Sequence, residues 1–158
     1  MSRNQYDQGV VGVFGSPPTT INDRNGKPIT PVTLVNGTWK ASAVFYAGAA
    51  SDAILWLQGS IAGAGTAKVR VEGLRSDENN TALWEWASIQ TTRADTGASA
   101  AEHTIAAAVL VGVVDAMKRQ ALVLRLVNAQ RAGALRLVVA WQQAPDPADY
   151  LVVAVDAK

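Results

Sequence analysis

Alternation of apolar and polar residues with a period of two recurs along this chain and constrains its fold more than any other feature. In Lys68-Val69-Arg70-Val71-Glu72 the charged side chains alternate with valines. Successive side chains of a β-strand point to opposite faces of the sheet, so the charges and the valines are expected on different faces. Similar segments bring the predicted strands to about eight, the others being residues 9–14, 38–46, 53–58, 83–89, 122–128, 135–141 and 150–155.

Short turn segments separate these predicted strands. Asn25-Gly26 and Asn36-Gly37 tolerate positive φ angles and are typical of tight turns. Residues 76–80 and 144–148 are polar or proline-rich and indicate further turns. Nothing in the pattern alternates strands with helices, as a parallel sheet would require. We therefore expect an all-β, antiparallel, jelly-roll-like β-sandwich.

Residues 100–120 fit two interpretations. Apolar residues at helical spacing favour a helix, namely Ile105, Val109, Val113 and Met117. Gly112 and the β-branched residues of 109–114 oppose a long helix. We expect one or two strands across 103–114 and a short helix near 115–120, while a helix over the whole segment stays open.

The first 35 residues differ from the remainder because prolines interrupt them, at positions 17, 18, 28 and 31. Proline cannot donate a hydrogen bond to a strand ladder, so such segments lie at edges and in turns. We expect an irregular N-terminal arm over residues 1–35 and a β-sandwich domain over residues 36–158. The arm either packs on a neighbouring subunit or folds on its own domain, and the sequence leaves both alternatives open.

The sequence contains no recognisable catalytic or metal-binding motif. His103 is the single histidine and cysteine is absent, so a zinc site lacks ligands and no nucleophile motif accompanies the histidine. Glu72, Glu78 and Glu85 are candidate glycosidase carboxylates but read equally as outward charges on a sandwich. Residues 23–26 resemble the start of a calcium loop without its closing glutamate, and a turn is the better interpretation. We expect no enzymatic activity, no metal and no cofactor.

Charge and hydropathy argue against two classes of partner. Fourteen Lys and Arg against thirteen Asp and Glu give a net charge of +1, and the basic residues are scattered. Binding to nucleic acid through phosphate neutralisation is therefore not expected. The longest apolar run, residues 105–114, is about half the length of a membrane span, so we expect no membrane association.

Two of the five tryptophans point to a second buried surface. Trp141 alternates with leucines and valine and is expected in the core. Trp84 and Trp86 face away from Leu83 and Ile89, which gives their strand two apolar faces. The second face needs cover from another subunit, from the same chain or from a sugar ligand, and all three stay open. The candidate subunit-contact residues are Trp39, Trp84, Trp86 and Phe14.

The order of several segments resembles that of small β-sandwich virion proteins of tailed bacteriophages. A strand ending in a Gly or Ser turn precedes a strand of alternating valine and basic residues, a polar loop and a Trp-containing strand. The segments are residues 54–60, 66–73, 83–86, 122–128 and 135–141. The resemblance implies a capsid decoration or cement protein, or a related auxiliary head subunit, that forms a symmetric homo-oligomer. Its partners would be the major capsid protein or neighbouring subunits, in a virion assembled in the host cytoplasm.

The alternative function is a carbohydrate-binding or receptor-binding β-sandwich module that uses exposed tryptophans. Indole rings stack on sugar rings, so replacement of Trp39 and Trp86 by alanine separates the two functions. Loss of glycan binding with intact folding would favour the module.

Overall fold

In a computed structural model, the chain forms two antiparallel β-sheets that pack face to face. The structure describes residues 7–46, 52–77, 80–93, 96–106, 122–127 and 134–157. The strands are β1 Asp7–Gly15, β2 Lys40–Ala41, β3 Phe45–Tyr46, β4 Asp52–Ser60, β5 Thr66–Asp77, β6 Asn80–Ile89, β7 Thr91–Arg93, β8 Ser99–Ala100, β9 His103–Ala106, β10 Leu122–Val127, β11 Ala134–Trp141 and β12 Tyr150–Ala157. These residues include no helix, and the all-β prediction is confirmed. The helix expected near 115–120 lies outside the described ranges.

The first sheet has the strand order β1-β12-β4-β10-β7-β8, and the second has the order β2-β11-β5-β6. In the second sheet, β3 also pairs with β11 and β9 also pairs with β5. The chain crosses between the sheets where β6 ends at Ile89 and β7 begins at Thr91. The described residues form twelve strands against about eight predicted, because pieces of two to four residues are too short to show an alternation.

The core lies between the two sheets and consists of the inward half of each alternation. The first sheet contributes Leu55, Leu57, Leu151 and Val153, and the second contributes Val69, Val71, Leu135 and Leu137. The face predicted for residues 135–141 is confirmed, since Leu135, Leu137, Val139 and Trp141 are all fully buried. The strands around 103–106 and 122–127 also form where they were expected.

The N-terminal region belongs to the sandwich. β1 pairs with β12 on one side, and Val32 lies beside β1 on the other. Val32 N donates to Val13 O at 2.8 Å, and Val32 O accepts from Gly15 N at 2.8 Å. Leu34 is buried in the same core as Phe14. Of the two alternatives for the N-terminal region, folding on its own domain therefore describes residues 7–35, because Val32 completes hydrogen bonds of an edge strand of that domain.

The segment from β2 to β3 joins the edges of the two sheets. Ser42 N donates to Leu137 O at 2.8 Å in the second sheet, and Ala43 N donates to Val11 O at 3.0 Å in the first. Leu137 N in turn donates to Ser42 Oγ at 3.0 Å. The strands approach so closely that a Cβ at Gly12 would lie 2.8 Å from Ser42 Cβ. Glycine at position 12 thus permits this closure of the sandwich edge.

Replacement of Ser42 by alanine is expected to lower the free energy of unfolding by about 1–2 kcal/mol, because the buried Leu137 N–H loses its acceptor. Urea denaturation monitored by tryptophan fluorescence measures this change. Ser88→Ala, at an exposed position of β6, serves as the control and should stay within about 0.5 kcal/mol of the parent protein. Equal stability of the two variants would contradict the role given to the Ser42 hydroxyl.

The carboxylate of Asp149 stabilises the turn that precedes β12 through three hydrogen bonds. Its Oδ1 accepts a hydrogen bond from Ala62 N at 2.9 Å. Its Oδ2 accepts from the indole Nε1 of Trp141 at 2.9 Å and from Asp146 N at 3.0 Å. One buried carboxylate thereby joins the loop after β4, the end of β11 and the turn before β12.

Candidate contact surface

The outer face of the second sheet carries the charged half of the alternation. On β5, Lys68, Arg70 and Glu72 lie on the face opposite to the buried valines. On β11, Arg136 lies opposite Glu72 in the strand register. The sequence prediction that the charges of residues 68–72 share one face is therefore confirmed.

Glu72 is the centre of an ion-pair cluster on this face. Its Oε1 accepts from Arg136 Nε at 2.9 Å and lies 2.8 Å from Arg136 Nη2. Its Oε2 accepts from Arg70 Nε at 3.1 Å and lies 3.0 Å from Arg70 Nη2. Each carboxylate oxygen thus receives the Nε–Nη2 edge of one guanidinium, so a single carboxylate neutralises both arginines through charge-assisted contacts.

Each guanidinium group also lies over the ring of a tryptophan. Arg70 lies over the ring of Trp39 at 4.1 Å from the centroid, and Arg136 lies over the ring of Trp86 at 4.2 Å. A cation over an indole face is attracted by the ring quadrupole, and the planar guanidinium also stacks on it. We call these five residues, Trp39, Arg70, Glu72, Arg136 and Trp86, the Trp–Arg band.

The Trp–Arg band shields the apolar part of the outer face. Val138 points outward from β11, opposite Arg70 in the register, yet it is only 3% exposed. The side chain of Glu72 is 6% exposed, whereas those of Arg70 and Arg136 are 27% and 28% exposed. A molecule that approaches this face therefore meets guanidinium edges and partly buried indoles, with the carboxylate beneath them.

The four predicted contact residues have different positions in the structure. Trp39 and Trp86 are partly buried and belong to the Trp–Arg band. Trp84 lies in β6, but its side chain is outside the described part of the structure. Phe14 is a correction, because it is 0% exposed and packs within the core of its own chain. Its ring has no surface left for a subunit contact.

Glu72 and Arg136 show what the sequence analysis missed. Glu72 was one of several carboxylates considered for catalysis, and Arg136 was one of many scattered basic residues. Their contact joins residues 64 positions apart in the chain. The alternation of residues 135–141 predicts that Arg136 points outward, but it does not predict which neighbouring strand supplies its partner.

His103 lies in a buried polar contact between the sheets. Its Nε2 lies 2.9 Å from Thr91 Oγ1 and 3.1 Å from Thr91 O. Because a carbonyl oxygen only accepts, the contact with Thr91 O is a hydrogen bond in the tautomer that carries the proton on Nε2. Thr91 is 1% exposed, and a substrate has no path to its oxygen. This threonine–histidine contact joins β7 of the first sheet to β9 of the second.

The carboxylate of Asp23 accepts hydrogen bonds from the backbone. Asp23 Oδ1 accepts from Asn25 N and Lys27 N, both at 2.9 Å, which confirms a turn at residues 23–26. Within the described ranges, no group of three or more His, Cys, Asp or Glu side chains is arranged to hold a metal ion. The same ranges contain no helix with the length and apolarity needed to cross a bilayer.

Comparisons with known proteins give little similarity. No protein-family model matches the chain, and no curated protein matches it. Among solved structures, the crystal structure of the SPBc2 prophage-derived protein YomS matches with a TM-score of 0.39 and 10% sequence identity. The match covers 77% of this chain and 98% of that chain. A likeness at this TM-score and identity does not establish a common function.

Proposed function

We propose that this chain is a structural subunit of a tailed-phage particle, a capsid decoration, cement or other auxiliary head protein, which acts by packing against other subunits and not by catalysis. The Trp–Arg band is the observation that carries the packing role. It places two partly buried tryptophans and two arginines on one sheet face. Trp and Arg are the residue types that dominate the binding energy of protein interfaces.

The phage assignment rests on the sequence resemblance to small β-sandwich virion proteins. The antiparallel sandwich agrees with the fold that this resemblance implies. The proposed partners are the major capsid protein or neighbouring copies of the chain, and symmetric assembly would place several Trp–Arg bands on equivalent contacts.

Sedimentation velocity of the purified protein and its co-sedimentation with capsids of the phage that encodes it test this function. We expect a concentration-dependent oligomer and saturable capsid binding. Trp39→Ala and Trp86→Ala should each weaken association by about tenfold or more, because each removes an interfacial indole and releases an arginine. Trp56→Ala, which changes a half-buried tryptophan on the outer face of the first sheet, is the control.

A protein that stays monomeric at high concentration and does not bind capsids would contradict the proposal. Association that Trp56→Ala abolishes and the Trp39→Ala and Trp86→Ala variants leave intact would place the contact outside the Trp–Arg band. Thermal denaturation of each variant separates lost binding from lost folding.

A carbohydrate-binding or receptor-binding module is the second candidate, because Trp39 and Trp86 are both partly exposed on one sheet face. A guanidinium covers one face of each ring, which leaves less indole surface for stacking on a sugar. A glycan array probed with the parent protein and with Trp39→Ala and Trp86→Ala distinguishes this function. Glycan binding lost in folded variants would favour it.

A further inference from the structure

Arg70 and Arg136 of the Trp–Arg band carry N–H groups that are not directed to Glu72. Arg70 and Arg136 each direct Nε and Nη2 to Glu72. A guanidinium carries five N–H groups, so this edge-on pairing leaves three for another acceptor, both on Nη1 and the second one on Nη2. Within the described ranges, neither Nη1 donates a hydrogen bond to another residue of the chain. Each arginine is nevertheless fixed in place by its carboxylate and its indole.

The electrostatics of this face favour an anionic partner. Among the described side chains, three cations, Lys68, Arg70 and Arg136, share it with two carboxylates, Glu72 and Glu102. Glu72 lies beneath the guanidinium groups, and Glu102 pairs with Lys68 at 3.5 Å. The outermost charges of the Trp–Arg band are therefore positive. A partner that buries them without supplying an acceptor would leave charged N–H groups unpaired, at a high cost in binding free energy.

We propose that the Trp–Arg band binds an acidic segment of a partner protein, whose Asp or Glu carboxylates accept hydrogen bonds from the outer edges of Arg70 and Arg136. This inference rests on the proposed function only in taking the partner to be a protein. Carboxylates match the planar fork of arginine, and the pairs with Glu72 and the indoles fix that fork before binding. Such preorganisation lowers the entropy lost on association. Phosphate-driven binding to nucleic acid would need more cations than a chain with a net charge of +1 gathers here.

Titration of the ¹⁵N-labelled full-length protein with a hexaglutamate peptide tests the inference. We expect saturable chemical-shift changes at the Nε–H groups of Arg70 and Arg136 and at the indole N–H groups of Trp39 and Trp86. Hexaserine and hexalysine should produce none, and added salt should weaken the hexaglutamate complex. The double variant Arg70→Gln/Arg136→Gln should lose about tenfold or more in affinity, since charge-assisted hydrogen bonds are removed.

Two further variants make the result specific. Arg24→Gln/Lys27→Gln removes the same charge from the exposed turn after β1 and should stay within about twofold of the parent affinity. Arg70→Lys/Arg136→Lys keeps the charge that neutralises Glu72 and therefore protects folding, but lysine has no planar fork. We expect this variant to bind hexaglutamate more weakly than the parent protein.

Several results would overturn the inference. One is the absence of chemical-shift changes with hexaglutamate, and a second is equal affinity of the lysine variant and the parent protein for hexaglutamate. A third is binding of oligothymidine in place of hexaglutamate, because it would assign the surface to nucleic acid. If capsid association persisted without hexaglutamate binding, only this inference would fall. If hexaglutamate bound and capsids did not, the inference would stand and the proposed function would fall.

Discussion

Replacement of Asp149 by alanine is expected to lower the free energy of unfolding by about 3–6 kcal/mol, because three N–H donors, among them the buried indole N–H of Trp141, lose one shared carboxylate acceptor. Asp149 is 3% exposed, so water does not readily replace the carboxylate. One of the three donors belongs to Trp141, the largest fully buried side chain. A loss of this size is a large part of the roughly 5–15 kcal/mol that stabilises a typical domain.

Thermal and urea denaturation measure the Asp149→Ala effect, and the melting temperature should fall by on the order of 10 °C or more. Asp149→Asn keeps one acceptor oxygen and should lie between alanine and the parent protein. The control is Asp146→Ala, which removes an exposed hydrogen bond to Ala148 N and should cost at most about 1 kcal/mol. Equal melting temperatures of the Asp149→Ala and Asp146→Ala proteins would show that the Asp149 carboxylate does not stabilise the turn before β12.

Replacement of Glu72 by alanine is expected to cost about 2–4 kcal/mol, because Arg70 and Arg136 lose their common counter-ion and repel each other. The two guanidinium groups are partly exposed and can turn toward water, which keeps the loss below that of a fully buried pair. Their departure should also uncover Val138 and free one face of the Trp39 and Trp86 rings. We expect a red shift of the tryptophan emission together with the loss of stability.

Glu102→Gln is the matched control for Glu72→Ala. It removes a carboxylate from the same sheet face, but the Lys68–Glu102 pair is long, at 3.5 Å, and its side chains are 42% and 38% exposed. Its effect should stay within about 0.5 kcal/mol, as is usual for exposed ion pairs. Urea denaturation that showed equal effects for the two variants would refute a central role for Glu72 on this surface.

Phe14, named as a candidate contact residue, is buried in a strand that departs from a strict alternation. A strict period of two puts Val13 and Phe14 on opposite faces of β1, with one of them pointing to solvent or a partner. The pairing of β1 with β12 shifts its register between Val10 and Gly12, and residues 16–35 then return along β1. After this shift Phe14 shares the inward face with Val11, and Val13 on the other face is also buried. A bulge changes which face the following residues occupy, and the glycines at positions 9 and 12, beside the two register shifts of β1, are its signal in the sequence.

The amino-acid sequence by itself determined the fold class, most of the long strands and their inward residues, because side-chain alternation is a local property of an extended chain. It also determined that Arg70 and Glu72 share a face and that Trp141 is in the core. Only the tertiary structure decided that Arg136 and Arg70 close over Glu72, that Trp39 and Trp86 stack on these arginines, and that Asp149 receives three donors. Those contacts join residues on different strands, and their partners are set by strand order and register, which the period-two pattern leaves undetermined.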